Sequence, residues 1–221
     1  MESKRIVDVL GKFVSESRLA KMQRVVEART AGVGVALENL NDVHNVSAIL
    51  RTVDSFGVHS VNSIEAFGGP SGFNKDVSKG SEKFLDFQRF ASTAEWLERR
   101  ATLGGSIVTT ELGAPDVSLV DWLRLPRPIF VVMGNEIRGV SKLVRSAATA
   151  TCSLPACGMA QSYNVSVATA ILLTILKEKG VLEGHPLSEE TRNDVLAKWL
   201  IEDVVASHVI LKRHNLVPPE L

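Results

Sequence analysis

The stretch Leu154-Pro-Ala-Cys-Gly-Met-Ala-Gln-Ser-Tyr-Asn-Val-Ser-Val-Ala168 decides how the rest of the chain is read. It has the pattern of a strand end, a tight loop and a helix start. Residues 152–154 close an extended run, and Pro155 lacks the amide donor that a sheet interior requires. Gly158 permits a sharp loop. Ser162 and Asn164 offer side-chain oxygens to the open amides of a helix that begins beside them. From Val165 the residues are nearly all small or apolar until Lys177-Glu178-Lys179 and the stop at Gly180. A helix with so little polar surface is buried on most faces, against its own domain or against another subunit. On local features alone, a capped core helix and a binding loop are both open readings.

Upstream, Ile129-Phe-Val-Val-Met133 is the clearest buried strand, introduced by Pro128 and stopped by Gly134. Gly134-Asn-Glu136-Ile-Arg138-Gly139-Val-Ser141 then turns into a helix over 142–148. Nearer the N-terminus, a strand over 33–37 delivers the chain into Glu38-Asn-Leu-Asn-Asp-Val-His44-Asn45-Val-Ser-Ala-Ile-Leu-Arg51. Here a helix starts near Asn45 or Val46, with Ala48, Ile49, Thr52, Val53 and Phe56 as its apolar face and Gly57 as its stop. Arg51 lies six residues beyond Asn45, under two turns, so both can address one cleft edge. Open α/β sheets place their sites in such polar loops at strand C-terminal ends. The Gly32-Val33-Gly34 pair is not a dinucleotide fingerprint, because no third glycine follows at the required spacing.

Further strands are predicted over 58–64, 83–90 and 106–110, a helix from Ser92 or Thr93 to Arg100, and a helical turn within 116–123. Between them, 67–75 reads as a mobile loop, with Lys75, Lys79 and Lys83 at its end and beyond. Residues 4–28 read as one amphipathic helix, and Ser188 opens an acid-rich helix whose apolar face runs from Val195 to Val205. Strands alternating with helices predict an α/β fold, a mostly parallel sheet flanked by helices.

Composition excludes several classes. The chain has 221 residues and no net charge, so bulk charge does not drive nucleic-acid binding. The distribution is uneven: in residues 1–30, Lys4, Arg5, Lys12, Arg18, Lys21, Arg24 and Arg29 outnumber Glu2, Asp8, Glu16 and Glu27. No apolar run reaches the roughly 20 residues of a membrane span, and the N-terminus lacks a signal-peptide pattern. Cys152 and Cys157 stand without a neighbouring histidine, which predicts no metal and two reduced thiols in a cytoplasmic protein, although sequence alone leaves a disulfide open.

Taken together, His44-Asn-Val-Ser-Ala-Ile-Leu-Arg-Thr52, Gly134-Asn-Glu-Ile-Arg-Gly139 and Gly158-Met-Ala-Gln-Ser-Tyr-Asn-Val-Ser-Val-Ala168 resemble the three motifs of the SPOUT superfamily of RNA methyltransferases. The closest pattern is the TrmH/SpoU-type branch of tRNA guanosine 2′-O-methyltransferases, over roughly residues 18–180. The third motif is the most specific and the second, alone, the least. The resemblance implies a C-terminal deep trefoil knot, an obligate homodimer and an S-adenosylmethionine site. It divides the chain into a helical RNA-contacting extension (1–30), a catalytic domain (31–180) and a C-terminal helical extension (181–221).

By position, the resemblance implies cofactor contacts from Thr110, Gly134, Leu154, Met159, Ser162 and Asn164. Arg51 corresponds to the catalytic arginine, Asn45 and Glu136 to organisers of the cleft, and Asn164 also to a residue that orients the reactants. Arg18, Lys21, Arg29 and His44 correspond to tRNA contacts. The implied reaction is methylation of a ribose 2′-hydroxyl in tRNA, foremost the D-loop guanosine at position 18. The alternatives are ribosomal RNA as substrate, or a non-catalytic RNA-binding module. Two departures stand out: Asp42-Val43 replaces a usual Lys-Pro, and Lys177-Glu178-Lys179 replaces an arginine-rich helix end.

Overall fold

The computed structural model describes residues 2–64 and 80–217, so the loop expected at 67–75 and its Lys75 and Lys79 lie outside the described residues. The described chain divides into two compact units, one of Thr30–His185 and one of Met1–Arg29 with Pro186–Leu221.

The larger unit is a six-stranded sheet in the order β3-β2-β1-β5-β4-β6. Its strands are β1 (Thr30–Glu38), β2 (Val58–Ile64), β3 (Asp86–Phe90), β4 (Ser106–Thr110), β5 (Ile129–Met133) and β6 (Ala150–Cys152). Every pairing is parallel. The central neighbours β1 and β5 are apolar on both faces, as a strand covered on both sides must be. Alternation assigns the faces. Val33, Val35, Leu37, Ile129, Val131 and Met133 share one core with helix α3 (Val43–Ser55) and helix α6 (Val165–Glu178). Ala36, Phe130 and Val132 share the other with Trp96 of α4 (Thr93–Leu103) and Val144 of α5 (Lys142–Ala147). Gly34 sits on this second face because a Cβ there would lie 2.5 Å from the Phe130 ring.

The region over 83–90 splits: Ser81–Phe84 is a 3-10 turn and only Asp86–Phe90 is strand. The turn expected within 116–123 becomes two, Val117–Leu119 and Trp122–Arg124. Helix α6 is less enclosed than its composition suggested. Leu172, Leu173 and Leu176 are buried, whereas Val167 is 47% exposed.

The smaller unit comprises α1 (Glu2–Leu10), α2 (Glu16–Glu27), α7 (Glu189–Asp203) and α8 (Ser207–Arg213). The single helix expected over 4–28 is broken by a 3-10 turn at Gly11–Phe13, and Ser15 caps the next helix by accepting from the Arg18 amide. The expected N- and C-terminal extensions therefore form one unit, in which α1 and α2 pack on α7. Val205, placed on the apolar face by pattern, falls after the end of α7 and is exposed. Among the described residues no helix is long and apolar enough to cross a membrane.

Candidate active site

In the order β3-β2-β1-β5-β4-β6, successive strands after β1 step one way, and the later strands fill the other side. The boundary between β1 and β5 is thus the switch point, where parallel sheets open a crevice at their C-terminal ends. The segments after β1, β5, β4 and β6 emerge there. A cavity of about 740 Å³ lies among the last three, lined by Thr110, Glu111 and Leu112, by Met133 to Gly139, by Arg145, and by Ser153, Leu154 and Ser162 to Val165.

Local geometry fixes each loop. Asn135 accepts the amides of Ile137 and Arg138 on Oδ1, both at 3.0 Å, and donates from Nδ2 to the Asn39 carbonyl at 2.8 Å. Gly139 takes a positive φ of 68°, and a Cβ on Gly134 would come within 2.4 Å of the Gly139 backbone. The loop consequently needs glycine at both ends. After β6, the Tyr163 hydroxyl donates to the Pro155 carbonyl at 3.0 Å and closes the turn. Asn164 then caps α6, accepting from the Ser166 amide at 2.9 Å.

A directional chain of hydrogen bonds joins three of the loops. Asn164 donates from Nδ2 to Asn45 Oδ1 at 3.0 Å, and Asn45 donates from Nδ2 to Glu136 Oε1 at 3.0 Å. The Glu136 carboxylate terminates this chain as a charged acceptor, the stronger kind of hydrogen bond. Residues far apart in sequence therefore hold one another at the cavity's edge.

The family model described as the SpoU rRNA Methylase family matches residues 32–174. The chain belongs to the SpoU rRNA methylase family. Among similar SpoU proteins, the tRNA (guanosine(18)-2′-O)-methyltransferase of Aquifex aeolicus is 35% identical over 203 residues, covering 89% of this chain and 95% of the relative. The protein of the same name from Thermus thermophilus is 33% identical, covering 84% and 97%. The solved structure of the A. aeolicus TrmH/SpoU tRNA modifying enzyme matches with a TM-score of 0.76 and 35% identity, over 86% of this chain and 98% of that one. The AdoMet-bound rRNA methyltransferase of Sinorhizobium meliloti matches with a TM-score of 0.61 and 25% identity, over 71% and 60%. The sheet and its covering helices are thus the SPOUT fold.

Against that SpoU background the positional expectations separate. Thr110, Gly134, Leu154, Ser162, Asn164 and Glu136 all line the cavity. Met159 does not; it is fully exposed, because the turn projects it outward. Arg51 is exposed and absent from the lining. Asn45 is absent from the lining as well, and six residues along the helix turn the Arg51 side chain roughly 120° from it. Among the SpoU chain's basic residues, Lys21 and His44 are exposed, and Arg18 pairs with Asp203 through a bidentate contact at 2.9 and 3.1 Å. That carboxylate raises the Arg18 pKa above its ordinary value. Arg29 departs from the expectation outright: it is 1% exposed, with its guanidinium 5.8 Å from the Trp199 ring, so it serves packing and cannot meet RNA as folded.

Four residues of this SpoU chain were not singled out in the sequence. Asn135 organises the loop after β5. Glu38, fully buried, accepts from the Thr93 hydroxyl at 2.8 Å and the Ser141 amide at 2.7 Å, fastening the far end of that loop. Glu111 and Arg145 form a 2.8 Å ion pair in the cavity lining. No local pattern marks these positions, since each partner is remote in the chain. Both cysteines are free; burial pushes the Cys152 thiol up to about 12, while Cys157 is exposed. Among the described residues no group of three His, Cys, Asp or Glu is arranged to hold a metal.

Proposed function

We propose that this chain is an S-adenosylmethionine-dependent RNA 2′-O-methyltransferase that modifies tRNA, at the D-loop guanosine 18. The observation that carries the reading is the Asn164–Asn45–Glu136 chain at the edge of a cavity built from the family's motif loops. The names of the A. aeolicus and T. thermophilus relatives, which match over most of both chains, support the substrate and the nucleotide.

The cavity fits the cofactor. Its volume lies within the usual range for small-molecule sites of about 300–1,000 Å³. Leu112, Leu154, Val165 and Ala168 offer apolar surface for a purine, while the Thr110 and Ser162 hydroxyls and the backbone at Gly134 supply polar contacts. When bound, S-adenosylmethionine supplies a methyl group on an electrophilic sulfonium. The chain's own residues do the rest. Asn164, tied to Asn45, orients the reactants, and Glu136 fixes the tilt of that amide pair. Arg51 is a poor base, because a guanidinium stays protonated. Its role is to grip an RNA phosphate in a bidentate fork and to stabilise the ribose oxygen, whose proton passes to water as the oxygen–carbon bond forms and the carbon–sulfur bond breaks. Holding that oxygen in line with the methyl group supplies much of the acceleration.

Since Arg51 does not line the cavity of its own copy, the proposal includes a homodimer in which a second copy completes the site. The exposed apolar side chains Ile137 and Val167, in the loop after β5 and on α6, support such an interface. The trefoil knot also belongs to this proposal: β6 ends the sheet at its edge, yet α6 returns to pack on α3. Exposed Lys12, Lys21 and Arg24 of the helical unit are suited to phosphate contacts. The same reading places the protein in the cytoplasm with its tRNA.

The test is transfer of labelled methyl from S-adenosylmethionine to tRNA transcripts and to ribosomal RNA fragments. Label should enter a tRNA transcript and vanish when guanosine 18 is replaced by its 2′-deoxy form. Transfer to ribosomal fragments alone would move the assignment to the rRNA reading, which the family's description favours. Transfer to neither would defeat the proposal.

A further inference from the structure

Four charged side chains line the cavity: Glu111, Glu136, Arg138 and Arg145. Glu136 is engaged by Asn45 at the β1 side. Glu111 follows the end of β4 and pairs with Arg145 of α5, and β5 separates β1 from β4 in the sheet.

The Glu111–Arg145 pair has bonding capacity left over. Arg145 Nε meets Glu111 Oε2 at 2.8 Å, and one Nη donates weakly to the Val140 carbonyl at 3.4 Å. The N–H bonds of the other Nη remain available for a carboxylate. Glu111 Oε1 accepts from the Thr109 hydroxyl at 3.2 Å, and each carboxylate oxygen has a second lone pair. The Glu111 side chain is 19% exposed and Arg145 50%, so both reach the cavity from a supported position. A partly exposed ion pair adds little to stability.

We propose that Glu111 and Arg145 form the subsite for the amino-acid end of the sulfonium donor, Arg145 receiving its α-carboxylate and Glu111 its α-ammonium. This rests on the reading of the cavity as the cofactor site. A zwitterion bearing both charges on one carbon matches an adjacent guanidinium and carboxylate, and a planar fork suits the carboxylate best. Gly134 and Leu154, which also line the cavity, would then hold the adenosine.

The experiment is calorimetric binding of three probes: S-adenosylhomocysteine, 5′-methylthioadenosine, which lacks both charges, and decarboxylated S-adenosylmethionine, which lacks only the carboxylate. Arg145→Ala should weaken S-adenosylhomocysteine about 10-fold or more, as for loss of a charge-assisted bond, and leave the other two probes unchanged. Glu111→Gln should weaken S-adenosylhomocysteine and decarboxylated S-adenosylmethionine but not 5′-methylthioadenosine. Equal losses for all probes, or no loss for any, would overturn the subsite while the cofactor reading stands. Absence of any binding to the unaltered protein would overturn the cofactor reading itself, and the subsite with it.

Discussion

The side chains of Asn45 and Asn164, 119 residues apart in the chain, share a 3.0 Å hydrogen bond. Because Asn45 passes its own amide hydrogen to Glu136, it must both accept and donate. Asn45→Asp removes the donor and sets two carboxylates face to face. Methyl transfer in single-turnover assays should fall about 10- to 100-fold at neutral pH, matching the ~1–3 kcal/mol of a disrupted hydrogen bond to a charged group. An unchanged rate would show that the amide chain is not used in catalysis.

Arg51 lies outside the cavity of its own copy, which makes subunit mixing informative. Arg51→Ala and Asn164→Ala should each be nearly inactive in methyl transfer, with Arg51→Ala still binding S-adenosylhomocysteine normally. If a second copy supplies Arg51, mixed dimers of the two variants contain one intact site and regain activity. No regain in verified mixed dimers would place Arg51 in its own copy's site, moved there by RNA.

Asp42 caps α3 by accepting from the His44 amide at 2.8 Å. The departure from Lys-Pro therefore has a structural use. Asp42→Ala should lower the denaturation midpoint by the equivalent of about 1 kcal/mol, and Asp42→Lys should add affinity for tRNA at low salt at a similar cost in stability. Chemical denaturation and filter binding read the two effects separately.

The face of the sheet bearing Phe130 is tightly filled: the Arg100 guanidinium lies 4.3 Å over its ring, and Trp96 meets it edge-on at 6.2 Å. Burial lowers the Arg100 pKa. Phe130→Ala should cost about 3–5 kcal/mol, and Gly34→Ala about 1–3 kcal/mol through overpacking. The double variant should be less destabilised than the sum, because the added methyl would occupy part of the vacated space.

Cys152 sets an alkaline limit. Its folded pKa is raised from 9.0 to about 12, chiefly by burial and secondarily by Asp116. A raised pKa means the folded state retains a proton that the unfolded state has lost, so stability is intact below pH 9 and falls as pH rises toward 12. The slope from this group approaches about 1.4 kcal/mol per pH unit. In Cys152→Ala, denaturation curves measured from pH 8 to 10.5 should lose that contribution to the slope.

Much of the fold was legible where the signal is local. Strands at Val58–Ile64, Ser106–Thr110 and Ile129–Met133 have the bounds read from the sequence, because each begins directly after a glycine or proline. The Ser92, Asn164 and Ser188 caps were visible because a cap needs only the next few residues. Asn45, Glu136 and Asn164 could be named as members of one site through the resemblance of their motifs to the SPOUT family. The sequence alone thus determined most of the elements and the parallel sheet.

What it could not determine depends on partners distant along the chain. Nothing near Arg29 announces that Trp199 will cover it, and nothing near Glu111 announces Arg145. The two helical ends become one unit only when α1 and α2 find α7. Charge and apolar surface have no fixed destination until packing chooses their neighbours, and that choice was made by the tertiary structure.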